Sequence, residues 1–288
     1  MATDVAVRWE LAQDALRNEV HRVTALLRSV RDPAAPAVGK WNLAETAMHL
    51  SQAWLVVLGL ARQDLYGIYE VIPGLAGTAG DSLICDMWEL GDVTNLGVRS
   101  DPERNCRVLA DRIEVRAEEF FKECAGRSAE EICPWLVEGS TVRLSTLTSH
   151  LLNETVVHAY DIARADERTW QIERPHAAMV LEEFIVPVIQ ALPPGALVSD
   201  KAAGLQATYD LHIRGGRTFQ FVFDNKTLRV EEPSSRGVDC HISADPAAFL
   251  TVLWGRRSQW KAIVNAQLIA WGRRAWLGPQ LRALLRTP

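Results

Sequence analysis

Apolar residues recur at helical spacing from the N-terminus to about residue 192, and at alternate positions from about residue 206. A chain whose hydrophobic period changes once, from 3.6 to 2, builds two cores of different kind. At 288 residues it is long enough for both. The boundary is expected at "ALPPGALVSDKAAG", where helical spacing stops at paired prolines and glycines. This gives a helical domain over 1–192 and an α+β domain over 200–288.

Four long helices are expected in the first part. Val20, Val23 and Leu27 mark one stripe. The segment "NLAETAMHLSQAWLVVLGL" opens a second helix, with Asn42 as N-cap and Glu45 three positions on, the pattern of a capping box. A third is expected from Asp101 to Cys124, with Asp-Pro at the cap and first turn. The fourth spans Leu144 to Ala165. Four such helices point to a bundle. Between the second and third, the Gly-rich segment from about Glu70 to Ser100 lacks sustained helical spacing and is expected to be a lid or binding loop near the mouth of a site.

In the second part, "ATYDLHIRGGRTFQFVFDNKTLRVEE" alternates apolar and polar residues around Gly215-Gly216 and Asp224-Asn225, the turn chemistry of consecutive hairpins. "VDCHISA" adds a strand, "DPAAFLTVLWG" a capped helix, "AQLIAWG" a last strand and "RAWLGPQLRALL" a closing helix.

The net charge of −5 arises from 31 basic and 36 acidic side chains. That balance gives no support to nucleic-acid or anionic-membrane binding. The N-terminus does not read as a secretory signal, and "WLVVLGLA" is too short to span a bilayer. Five scattered cysteines without a C-x-x-C pair fit reduced thiols in cytoplasm, and none stands out as a nucleophile or ligand.

Chemistry concentrates in "LLNETVVHAYDIARA". Residues four apart on a helix lie about 40° from one another, so Glu154 and His158 share a face. His158 falls almost on the centre of the stripe Leu144, Leu147, Leu151 and Ile162, with Glu154 toward its margin and Asp161 beside Glu154. His150 falls further round and is the poorer candidate for a buried role. On the second helix His49 lies in line with Ala53, Val56 and Leu60. Two imidazoles and a carboxylate converging from two helices form an open zinc triad, with a fourth position for water or substrate. The alternative is a set of hydrogen-bonded core histidines and a helix-surface pair. No G-x-S-x-G, P-loop, G-x-G-x-x-G or H-E-x-x-H motif is present.

The ordered pair "WNLAETAMHLSQAW" and "NETVVHAYDIARA" resembles the two signature segments of the mycothiol-dependent maleylpyruvate isomerase family, in which a DinB-like four-helix bundle carries a metal. The resemblance places the metal ligands on His49, Glu154 and His158, and Asp161 on the acid that follows the second histidine. Tyr160 stands where a tryptophan is common. The second part is similar to sterol-carrier-protein-like domains, through "ISADPAAFLTVLWGRRSQWKAIVNAQLIAWG".

The resemblance implies zinc as metal and mycothiol as cosubstrate, with the coordinated thiol reactive as thiolate toward a small electrophile. The outcome would be cis–trans isomerisation or S-transfer. It also implies a substrate-binding arginine from the second domain; Arg256 in "WGRRSQ" is the candidate, with Arg257 and Arg273 next. The expected partners are therefore a small-molecule thiol and an electrophilic substrate, not nucleic acid or a membrane interior. Two other functions stay open: a zinc-dependent hydrolase on the same bundle, and a non-enzymatic carrier of an apolar ligand.

Overall fold

The computed structural model describes residues 2–64 and 89–286. The chain divides into two compact units, residues 1–172 and 173–287.

In the first unit, helices α1 (Ala2–Arg28), α2 (Leu43–Arg62), α4 (Cys106–Cys124) and α5 (Leu144–Ala165) pack on one another as a four-helix bundle. Leu16, Val23, Leu27, Leu147, Leu151 and Ile162 lie in its core, where Trp54 meets Phe120 edge to face at 6.2 Å. Two small antiparallel pairs lead into helices: β1 (Pro36–Val38) with β2 (Trp41–Asn42), and β3 (Ile132–Pro134) with β4 (Thr141–Arg143).

The capping box at the start of α2 forms as expected. Asn42 accepts the Glu45 backbone N–H at 2.9 Å, and the Glu45 carboxylate accepts that of Asn42 at 2.9 Å. By composition α2 is long and apolar enough to cross a bilayer, yet 72% of its most apolar window is buried inside the protein. The bundle core thus accounts for its hydrophobicity.

Two expectations need correction. α4 begins at Cys106, capped by Asn105, rather than at Asp101. Asp101 and Glu103 spend their carboxylates on nearby backbone N–H groups of Glu103, Arg104 and Asn105, a local pattern that competes with the helix. The Gly-rich segment is also not wholly loop: Leu90–Ser100 forms helix α3, docked on α2 through Gln52, which donates to the Gly97 carbonyl at 2.7 Å. The remainder of that expected loop, residues 70–88, lies outside the described residues, as does Cys85.

The second unit holds a five-stranded sheet in the order β7-β6-β5-β8-β9, comprising β5 (Gln206–Ile213), β6 (Thr218–Asp224), β7 (Thr227–Glu231), β8 (Cys240–Ala244) and β9 (Leu268–Trp271). All pairs are antiparallel except β5 with β8. Alternation sets Tyr209, Leu211, Phe219, Phe221, Phe223 and Ile242 on one buried face. The β6–β7 turn falls one residue later than expected. Asn225 and Lys226 take φ of 42° and 67°, as a two-residue hairpin with left-handed central residues requires. Helix α8 (Pro246–Leu253) is capped by Asp245, and α9 (Gln259–Val264) precedes β9. A 3₁₀ segment (Ala275–Gln280) and the short α10 (Leu281–Leu284) close the chain.

The helical run of α6 (Arg174–Val180) and α7 (Val186–Ala191) belongs to this unit, so the division lies upstream of the expected boundary at 192–200. Buried Glu182 accepts the Arg217 N–H at 2.7 Å under the β5–β6 hairpin, and Gln190 donates to the Val230 carbonyl at 2.9 Å. Arg174 pairs with the α8 cap Asp245. Between α6 and α7 the helix widens to a π turn just before Pro187, whose missing N–H breaks the regular ladder; the Val186 N–H reaches back to the Leu181 carbonyl.

Candidate metal centre

His49 is carried by α2, and Glu154 and His158 by α5, which packs against it. One ligand atom from each lies within 4.8 Å of the others. His49 Nε2 and His158 Nε2 approach the same Glu154 oxygen, Oε2, at 3.3 and 3.4 Å. The two imidazole rings stand edge to face at 4.7 Å. Two borderline nitrogens and one carboxylate oxygen, gathered with no lysine or arginine at pairing distance among the described residues, suit a divalent metal of the zinc type.

Access is limited but real. The side chains of His49, Glu154 and His158 keep 13%, 14% and 10% of their surface exposed. The line His49, Ala53, Val56 is only half-buried, whereas Leu50, Trp54 and Val57 fill the core. The triad therefore borders the core rather than occupying its centre, which leaves an approach for a ligand.

Burial works against the His158 cation, but the carboxylates of Asp161 and Glu154 outweigh it and raise its pKa to about 9. Burial likewise opposes ionisation of Glu154, and hydrogen bonding from His150, His158 and His49 overcomes it, holding the carboxyl well below the usual range. His49 moves the other way: burial pushes it below the ordinary histidine value despite Glu154.

Asp161 is buried and sits 3.2 Å from His158 Nδ1. This contact orients the ring and leaves Nε2 for a metal. Asp161→Asn is expected to retain metal while activity falls about 10–100-fold. Elemental analysis beside turnover checks this; an apo protein would make Asp161 a ligand.

Two residues near the triad were not among the site residues expected, although Trp41 opens the first signature segment. His150 is buried, contrary to expectation, with Nε2 3.6 Å from Glu154 Oε1. Four residues before Glu154 on α5, it faces the oxygen turned away from His49 and His158. Trp41 lies 5.0 Å from the His49 ring, and its indole N–H donates to Asn95 of α3 at 3.0 Å. The helical end of the Gly-rich segment thus reaches the wall of the site. The signal for Trp41 is its spacing, eight residues before His49 and four before Glu45.

Arg256 lies in the second unit after α8, where its guanidinium donates to the Trp254 carbonyl at 2.6 Å. Arg273 pairs with Asp239.

A helical bundle bearing a two-histidine, one-carboxylate cluster, followed by a smaller α+β unit, is the architecture the chain defines. Among solved structures the fold is similar to that of the mycothiol-dependent maleylpyruvate isomerase, with a TM-score of 0.52 and 13% identity over 91% of this chain and 92% of that one. A histidine-to-alanine mutant of that enzyme matches with a TM-score of 0.52 and 12% identity over the same shares. Residues 189–272 match the model of the SCP-2 sterol transfer family. A comparison with curated proteins finds no match.

Proposed function

We propose that the chain is a zinc- and mycothiol-dependent enzyme, an isomerase or S-transferase acting on a small electrophile such as maleylpyruvate. The observation that carries this is the convergence of His49, Glu154 and His158 at a partly open edge of the bundle. The isomerase's fold, shared over nearly the whole chain, supports it. Zinc held by the three side chains would supply a Lewis acid that favours the thiolate form of an incoming thiol.

The chain's own residues fit that chemistry. Asp161 holds His158 Nδ1, so Nε2 keeps its lone pair directed toward the triad once the ring is neutral. Glu154, whose carboxyl is held well below the usual range, provides the negative charge among the three donors. The described cysteines are all buried, and burial pushes the Cys106 and Cys124 thiols up to about 11 and 12. Such thiols are protonated at neutral pH, so among the described residues no cysteine serves as the nucleophile, in keeping with a thiol brought from outside. Free cysteines also support a reducing, cytoplasmic setting.

In the isomerase version the external thiolate adds to a conjugated C=C bond and the electron pair moves onto the neighbouring carbonyl. The former double bond then rotates, and the electron pair returns from the carbonyl oxygen to re-form the alkene and expel the thiolate. Arg256 is the proposed partner for a substrate carboxylate. Calorimetry tests the assignment: zinc-loaded protein is expected to bind a low-molecular-weight thiol, and metal-stripped protein is not. Zinc-loaded protein that binds no thiol would leave the apolar-ligand carrier as the better account.

A further inference from the structure

The whole-chain charge conceals a local asymmetry. From Pro246 to the end there are seven Arg and Lys and no Asp or Glu, leaving 24 basic and 36 acidic side chains in the first 245 residues. The same stretch holds the second unit's exposed large hydrophobic side chains among the described residues. Trp260 and Val264 project from α9 at 61% and 84% exposure, Ile269 and Trp271 from β9 at 46% and 47%, and Trp276 from the 3₁₀ segment at 62%.

These three elements are neighbours. α9 and the 3₁₀ segment both pack on β9, and together they border a partly open apolar cavity of about 210 Å³, lined by Ile263, Ile269 and Ala275 among others. β9 is the sheet's edge, so among the described residues no strand covers its outer side. Five apolar side chains within 17 residues are held against water, beside the exposed Lys261; Arg273 is exposed too, with its charge shared with Asp239.

We infer that the α9–β9–3₁₀ face is a docking surface for an anionic phospholipid bilayer. Tryptophan suits this boundary because its ring is apolar while its N–H can serve the headgroup layer. The lack of acids between Pro246 and the end matters as much, because an anionic surface attracts each nearby Lys or Arg and would repel a carboxylate, and the neighbouring Asp239 is neutralised by Arg273. Within the second unit, residues 173–245 carry ten acidic and seven basic side chains, so the excess of positive charge in this unit is confined to its end and is the part that an anionic surface attracts. The contact is peripheral, with the side chains entering only the headgroup and upper acyl region. An apolar cavity bounded by the same three elements would then face lipid rather than water.

Vesicle flotation tests this with the full chain. Wild type is expected to float with phosphatidylcholine vesicles containing about one-third phosphatidylglycerol, not with phosphatidylcholine alone, and to be released by salt. Trp260→Ser combined with Val264→Ser, and Lys261→Glu separately, should each weaken binding about tenfold. Leu11→Ser, an exposed apolar position on α1, should not. Circular dichroism confirms that the variants are folded. Failure to float with anionic vesicles, or flotation equally strong in all variants, overturns the inference. So does concentration-dependent dimerisation that Trp260→Ser abolishes in protein that ignores vesicles, which would give the face to a second copy.

Discussion

The double mutant His49→Ala, His158→Ala is expected to purify without zinc and to lose activity by about a thousandfold or more. A bound metal supplies several kcal/mol of charge stabilisation, and that corresponds to three or more powers of ten in rate. Removing two of three protein donors leaves Glu154 alone, too little to hold the ion. Glu154→Gln should do less damage than loss of either histidine, since an amide oxygen can still coordinate without bringing charge. Elemental analysis of the purified proteins decides the matter, and full metal occupancy in the double mutant would refute the site.

Metal uptake should also depend on pH in a direction that His158 sets. Its metal-free pKa of about 9 means that at neutral pH a proton must leave before the ring can ligate. Affinity should therefore rise with pH up to about 9, and titration at pH 7.5 in buffers of different ionisation heat should show roughly one proton released per metal. In the metal-free protein the same group works oppositely. Its raised pKa contributes stability that is full below about 6.5 and is lost as pH rises through about 9.

The second large effect concerns the thiol. Omitting low-molecular-weight thiol from zinc-loaded enzyme is expected to reduce turnover to background, and mycothiol should be preferred among thiols that restore it. The described cysteines offer no internal substitute, being buried and protonated. Equal turnover with and without thiol would move the assignment to a hydrolase, in which water takes the open position.

Much of this site was readable from phase alone. A helix that carries His158 on the line of Leu144, Leu151 and Ile162 must turn that ring inward, and α5 begins and ends where the apolar pattern does. His150 escaped because its surroundings come from elsewhere: Trp135, before β4, sets its ring 6.3 Å from His150, closing a side that the helix's own pattern leaves open. Helix α3 was hidden for a related reason. Gly91 and Gly97 dilute its apolar spacing, and the bonds from Trp41 and Gln52 that fasten it span 54 and 45 residues. The start of α4 was misplaced by local chemistry, since Asp101 has the residue type of a cap but uses it on a turn. The basic end of the chain was averaged away in a single net charge.

The fastening of α6 and α7 to the sheet also determines where this protein could have been assembled from parts. Glu182 and Gln190 tie that helical run to the strands, while Val180, Leu181, Phe184 and Val188 bury its apolar side. A gene fusion or exchange joining such a bundle to such a sheet keeps both products whole only when the crossover falls between Ile172 and Glu173. A crossover at the conspicuous Pro193-Pro194 pair would strand that apolar stripe on the wrong fragment and leave the sheet bare beneath it. The heritable module is thus longer than its proline-marked edge suggests, by the two helices that precede it.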